Sequence, residues 1–286
     1  MCRLVAYLGT PILTDKIIIK PKNSLVHQSF AAKETDYPVN GDGFGIGWYR
    51  HEIRKEPGLY KSISPAWNDQ NLLYNASFIQ TNCFFAHVRA GTVGDVSYEN
   101  THPFSYNEFL MMHNGGILEF EKIKYDLVNL LDEEAFLWIR GQTDTQYIIA
   151  LFMTNSRKLG FDNMENPEQL VACFNKTYHD IEELKKKNGV DAVALYNIVF
   201  TDGKRLIATK YSTAPEDELR TLYYINKVCC RICENGKLRV SKNKEDKASL
   251  ISSEILTEEK EHWEEIPNNH AIYIDEKLDV SLFKLE

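Results

Sequence analysis

Met1-Cys2-Arg3-Leu4-Val5-Ala6-Tyr7-Leu8 opens the chain, and the residue at its second position decides how the rest is read. Cysteine is small enough to permit removal of Met1, which leaves one residue carrying both a thiol and a free α-amine. Nucleophile and base then share a residue. An α-amine with an unperturbed pKa of about 7.7–8.0 can take the thiol proton near neutrality and later return a proton to a leaving amine. Behind it, Leu4 to Leu8 is an apolar, β-prone run suited to a buried strand. A cysteine at position 2 can equally arise by chance, so the decision rests on what else the chain supplies.

Further β-prone runs follow at Phe44 to Tyr49, Cys83 to Val88 and Phe109 to Met112, separated by Gly, Pro, Asn and Asp. The chain up to about Asn114 is therefore expected to be mainly strand. From about Lys124 to Lys187 the apolar residues move to helical spacing, as in Leu127, Leu130, Leu131 and Ile148, Ile149, Leu151, Phe152, which predicts two or three helices. Strands return with Ala192 to Phe200, a turn at Asp202-Gly203 and Leu206 to Thr209, a hairpin pattern. Later strands are expected at Thr221 to Ile225, Ser249 to Ser252 and Ala271 to Ile274. Blocks of strand, helix and strand predict an α+β layered fold rather than an alternating α/β one. Ser241 to Lys247 reads as a charged surface loop, and residues 2–286 are expected to form a single domain.

A chain of 286 residues is long enough to bury a sizeable core. Its formal net charge of −8 argues against a surface built for nucleic-acid phosphates or anionic lipid, and favours a small-molecule or protein partner. Six cysteines are too sparse to staple a small secreted fold. Lys16, Lys20 and Lys22 interrupt the apolar run near the start, so no secretory leader is read there. No stretch approaches the roughly 20 apolar residues of a membrane span. The expected location is the cytoplasm, with no membrane and no nucleic-acid partner.

Several short motifs could carry chemistry. His113-Asn114-Gly115-Gly116 follows a β-prone run, where a sharp turn could aim an Asn amide and a Gly N–H at one point as an oxyanion hole; the alternative is an ordinary Asn-Gly hairpin turn. His87-Val88-Arg89-Ala90-Gly91-Thr92 ends another strand. Arg89 there suits bidentate binding of a carboxylate, or is a surface arginine. In Gly141-Gln142-Thr143-Asp144-Thr145, Thr143 or Asp144 reads as a helix N-cap, with Asp144 also able to hold an ammonium group. Asn40 to Tyr49 is glycine-rich but lacks the Lys-Ser/Thr pair of a phosphate loop, so its glycines are read as letting a β-hairpin pass close beneath the N-terminal residue, with Asp42 in a turn. Cys229-Cys230-Arg231-Ile232-Cys233 has one metal-like pair without a second, and His87, His102 and His113 lie at no metal-ligand spacing; no metal is expected. His102, before Pro103, either orients substrate or orders a loop.

Taken in order, Cys2-Arg3, Gly41-Asp42-Gly43-Phe44-Gly45, His87 to Thr92, Thr101-His102-Pro103-Phe104, His113-Asn114-Gly115 and Thr143-Asp144-Thr145 resemble the glutaminase domain of class II glutamine amidotransferases, which are N-terminal-nucleophile (Ntn) hydrolases. The resemblance covers residues 2 to about 150. It implies a four-layer αββα sandwich, removal of Met1, Cys2 as nucleophile with its amine as base, and Asn114 and Gly115 as the oxyanion hole. Arg89, Thr92, His102 and Asp144 would bind substrate, Arg89 at its carboxylate and Asp144 at its α-ammonium. No synthetase region is visible. The likeness is to a stand-alone branch that includes the ergothioneine-pathway γ-glutamyl hydrolase and the amidotransferase-like subunit of glutathione degradation. The start Met-Cys-Arg, the segment Gly41 to Tyr49, and Ser253-Glu254 followed by Trp263 and Pro267 all look like that branch. Ala90-Gly91 departs from what relatives commonly show and bears on the pocket wall. The implied activity is cleavage of a γ-glutamyl amide, in glutamine or a γ-glutamyl conjugate, through a Cys2 thioester and without a cofactor. A homodimer or an ammonia-accepting partner subunit is compatible with it. The rival reading is a catalytically silent regulatory or scaffold subunit, against which the intact set of site residues argues.

Overall fold

The computed structural model describes residues 2–35, 37–91, 93–161, 163–215, 220–232, 238–241 and 247–286. The strand opened by Arg3 is β1 (Arg3–Leu13), followed by α1 (Asp15–Ile18), α2 (Leu25–Ala31), β2 (Phe44–Trp48), β3 (Gly58–Ser62), α3 (Gln70–Ala76) and β4 (Gln80–Val88). Next come β5 (Phe104–Tyr106), β6 (Phe109–Ile117), α4 (Lys124–Val128), α5 (Glu133–Trp138), α6 (Asp144–Lys158) and α7 (Pro167–Lys187). The remainder is β7 (Ala194–Thr201), β8 (Leu206–Ser212), β9 (Tyr223–Ile232), β10 (Leu238–Ser241), β11 (Ala248–Ser252), β12 (Glu264–Glu265), β13 (His270–Ile274) and β14 (Val280–Lys284).

These strands make two antiparallel sheets. One runs β10-β9-β11-β1-β4-β2-β3, with β12 paired to β9; the other runs β14-β13-β8-β7-β6-β5. Alternation along β1 explains why its sequence is continuously apolar: Leu4, Ala6 and Leu8 point between the sheets, while Val5 and Tyr7 face the outer side. Between the sheets they meet Phe85, Leu110, Met112 and Val199. On the outer side Val5, Tyr7 and Phe84 pack with Ile17, Leu25 and Leu72 of the first three helices. A third core joins Met111, Ile198 and Phe200 to Ile148, Phe152, Phe174 and Tyr178 of α6 and α7. Three cores separate four layers, the expected αββα order.

Three findings differ from the expectations. The first part of the chain holds three helices besides its strands, with lengths of 4, 7 and 7 residues. They are too short to display a period, and only α2 and α3 carry a capping side chain: Ser24 Oγ accepts from His27 N at 3.2 Å, and Asp69 Oδ1 accepts from Leu72 N at 2.8 Å, whereas α1 has none. The middle region holds four α-helices rather than two or three, because α4 and α5 are only 5 and 6 residues long. Finally, His113 to Gly116 is not a turn. β6 runs straight through it, with Asn114 opposite Asn197 and Gly115 opposite Tyr196 on β7. Gly115 is required by space: a Cβ there would lie 2.0 Å from the Leu195 carbonyl oxygen.

Candidate active site

Cys2 precedes β1, beside the end of β4, where Arg3 pairs with Val88. The half-buried thiol lies 3.4 Å from the N–H nitrogen of Ala90 and 3.5 Å from its carbonyl oxygen. Burial pushes the thiol above its ordinary pKa; the Ala90 N–H and the Arg89 and Arg3 cations offset only part of that shift. Arg3 fixes the main chain of residue 2. Its Nη1 donates to the Cys2 carbonyl at 2.8 Å, and its Nε donates to Glu254 Oε1 at 2.7 Å in a buried ion pair. The same Glu254 oxygen accepts from Lys33 N at 2.8 Å and Glu34 N at 3.0 Å.

The glycine-rich hairpin braces the other side of the thiol. Arg89 N donates to Gly43 O at 2.8 Å, Asp42 N donates to Arg89 O at 3.0 Å, and Asp42 Oδ2 accepts from Gly91 N at 2.8 Å. Segment 89–91 is thereby held against Cys2 by the hairpin. Gly45 permits a close approach, since a Cβ there would meet the His102 carbonyl oxygen at 2.2 Å. Arg89 is not a surface arginine: it is buried, and its guanidinium donates to the carbonyls of Asp95 at 3.0 Å, Val93 at 3.0 Å and Gly94 at 3.2 Å. Thr92 lies outside the described residues, as do Met1 and Cys233. His102 is enclosed, stacked on His87 at 4.3 Å, with neither ring nitrogen hydrogen-bonded.

Asn114 and Gly115 use the edge of β6. Strand β5 covers β6 only at Phe109 to Met111, so the edge is free of strand pairing beyond. On that edge His113 O accepts from His87 Nε2 at 3.2 Å, and Ile117 N donates to Asp144 Oδ2 at 2.8 Å. Alternate residues of a strand turn their main-chain groups the same way, so the Gly115 N–H faces this edge between them. The Asn114 amide donates through Nδ2 to Ser253 Oγ at 3.1 Å. That bond uses one of the two Nδ2 hydrogens.

Thr143 occupies the N-cap position of α6 but makes no side-chain cap, and Asp144 is the first helical residue. The Asp144 carboxylate accepts from Ile117 N and, through Oδ1 at 2.8 Å, from Thr145 N. Gly116 leaves room beside it, since a Cβ there would sit 3.3 Å from Asp144 Oδ2. A carboxylate has about four lone-pair sites, so two remain for a cation. The sequence placed Ala90 only at the pocket wall and gave Ser253 no role of its own. Ala90 acts through its main chain, which leaves no side-chain signal, and Ser253 was visible only as part of the Ser253-Glu254 motif. Among the described residues, no group of three or more His, Cys, Asp or Glu converges as a metal-binding cluster, and no helix is long and apolar enough to cross a membrane.

Two antiparallel sheets packed between helical layers are the fold of an Ntn-type amidotransferase domain. A Silicibacter pomeroyi glutamine aminotransferase class-II domain protein superposes with a TM-score of 0.65 at 20% identity, covering 99% of each chain. Glutamine phosphoribosylpyrophosphate amidotransferase of B. subtilis does so with a TM-score of 0.60 at 13% identity, over 100% of this chain and 49% of that one. In sequence, residues 16–276 match the family "Glutamine amidotransferases class-II", and the chain belongs to that family of enzymes. It is 33% identical over 291 aligned residues to "Probable glutamine amidotransferase DUG3" of Saccharomyces cerevisiae, covering 96% of this chain and 82% of the yeast protein. It is 31% identical over 117 residues to the "Gamma-glutamyl-hercynylcysteine sulfoxide hydrolase" of Mycobacterium tuberculosis, a match to 40% of this chain and 49% of the hydrolase.

Proposed function

We propose that residues 2–286 form one catalytic unit that hydrolyses γ-glutamyl amides through a thioester on Cys2, after removal of Met1. The observation that carries this reading is a chain of contacts: Cys2, before β1, lies against the main chain of Ala90 next to Arg89 after β4, and Ser253 ties Leu4 of β1 to the Asn114 amide on β6. The substrate's α-carboxylate takes the remaining guanidinium donors of Arg89, and its α-ammonium takes the open sites of Asp144. The δ-carbonyl carbon then faces the thiol, and its oxygen faces Asn114 Nδ2 and Gly115 N–H.

Because burial raises the thiol pKa, thiolate is scarce at neutrality, and attack needs a base at hand. The α-amine of residue 2 supplies it. Sulfur adds to the carbonyl as the amine takes its proton; the oxyanion is held by the two donors; the amine returns the proton as ammonia or a larger amine leaves. Water then cleaves the thioester to give glutamate and the free thiol. Every group in this scheme belongs to the chain or substrate. The mycobacterial relative's name describes cleavage of a γ-glutamyl conjugate, which supports the same bond here. The free thiols of Cys83, Cys173, Cys229 and Cys230 fit a reducing compartment such as the cytoplasm.

A panel of γ-glutamyl amides, from glutamine to γ-glutamyl dipeptides, assayed for free glutamate tests this reading. Release of glutamate together with a γ-glutamyl adduct on Cys2 by mass spectrometry is expected. Turnover without a Cys2 adduct, or none with any member of the panel, would overturn it.

A further inference from the structure

Immediately after β11, two adjacent residues reach both halves of the site. Ser253 is 1% and Glu254 1% exposed. Ser253 binds the strand that carries the nucleophile through its N–H, which donates to Leu4 O at 3.1 Å, and through Oγ, which accepts from Leu4 N at 3.2 Å. The same Oγ accepts from Asn114 Nδ2 at 3.1 Å across the gap between the sheets. One hydroxyl therefore sets the first sheet's nucleophile strand against the second sheet's oxyanion donor. Its neighbour Glu254 acts on Cys2 itself, because the guanidinium it holds donates to the Cys2 carbonyl.

We propose that Ser253 and Glu254 are positioning residues with separate targets: Ser253 orients the Asn114 amide toward the oxyanion, and Glu254, through Arg3, seats Cys2. This rests on the roles given above to Cys2 and Asn114. An asparagine amide rotates freely unless one of its groups is tied. Ser253 Oγ takes one Nδ2 hydrogen and so leaves the other in a fixed direction. Loss of the hydroxyl also removes the acceptor of Leu4 N, while the main-chain bonds of Ser253, its N–H to Leu4 O at 3.1 Å and its carbonyl accepting from Thr221 Oγ1 at 2.9 Å, survive.

Two reactions at Cys2 separate the targets. Alkylation by iodoacetamide needs the thiol but forms no oxyanion, whereas hydrolysis of γ-glutamyl-p-nitroanilide needs both. Ser253→Ala is expected to lower kcat on the anilide by about tenfold to hundredfold, a fraction of what loss of a whole donor costs. KM should stay within about twofold, and alkylation should fall by no more than about twofold, because Leu4 loses one acceptor but keeps its bond to Ser253 N–H. In an Asn114→Ala background the same change should add no more than that, because the group it orients is gone. Glu254→Gln should slow alkylation and hydrolysis together. An unchanged kcat in Ser253→Ala, a parallel fall in alkylation, or losses that simply add to those of Asn114→Ala would overturn the assignment. If Glu254→Gln does not fold, the Ser253 and Asn114 cycle decides. Wild-type protein that hydrolyses no γ-glutamyl amide would instead overturn the reading of the site on which the proposal rests.

Discussion

The two ends of β1 differ in kind. At its start, Cys2, Arg3 and Leu4 are gripped by Ala90, Glu254 and Ser253 through directed hydrogen bonds, many of them buried. Towards its other end, Leu8, Gly9 and Thr10 border a cavity of about 560 Å³ whose rim includes Lys204, Lys247 and Lys277. Chemistry points to the first, because catalysis of acyl transfer needs preorganised donors around a small reacting centre, and open space supplies none. What marks a site here is how many polar groups are fixed toward one point.

The contrast breaks most directly at the N-terminus. An uncleavable tag ahead of Cys2 turns its amine into an amide that cannot accept a proton, and should reduce glutamate release by about three powers of ten or more. The same tag after Glu286 should leave activity intact. Full activity in a chain shown by intact mass to retain extra N-terminal residues would remove the amine from the mechanism. Asn114→Ala is the next largest effect. Loss of one oxyanion donor typically costs about 2.7–4 kcal/mol, so kcat should fall by two to three powers of ten while circular dichroism stays that of a folded protein. Arg89→Lys should act mainly on KM, raising it about tenfold or more, because an ammonium has three donors where the guanidinium has five to share between the carbonyls of residues 93–95 and a substrate carboxylate. It also gives up some of the contacts to the carbonyls of residues 93–95, so a normal KM would exclude both roles.

A fourth expectation concerns stability. Burial holds His87 down to about 3, and it lowers His102 and His113 as well. The unfolded chain binds protons at these residues below about pH 6.5, where the folded chain resists them. Their contribution is thus complete above that value and is lost as pH falls below it, by up to about 1.4 kcal/mol per pH unit for each histidine. Tm should drop steeply from pH 6.5 towards 4, and a flat Tm there would show that these rings are hydrated. The smallest effect belongs to the far end of β1: Lys204→Gln and Lys277→Gln should each leave kcat/KM within about twofold. A loss of tenfold would mean that the comparison has been drawn the wrong way round.

Much of this was legible in the sequence, for reasons that differ by element. β1, β4 and β6 are packed on both faces, so their apolar runs are continuous and easily read. Helices α1 to α3 left only a cap residue each at best. Asn114-Gly115 was ambiguous because glycine serves two needs: it permits a turn, and it permits close approach of another strand. Only the structure, with the Leu195 carbonyl where a Cβ would be, separates the two. Asp144 was readable as a helix-start acid, but its bond to Ile117 N links residues 27 apart and has no local signal. Ala90 contributes main-chain atoms alone, and any residue type carries those.

The ion pair between Arg3 and Glu254 spans 251 positions of sequence. During synthesis, then, the first residues of the chain wait for almost the last before their surroundings are complete. At about 5–20 residues per second, that interval is roughly ten to fifty seconds. Throughout it Arg3 and Leu4 lack the partners that follow β11. On the proposed mechanism, Cys2 would therefore be enclosed only after the time at which its amine must be uncovered, and the distance between Arg3 and Glu254 along the chain would act as a clock.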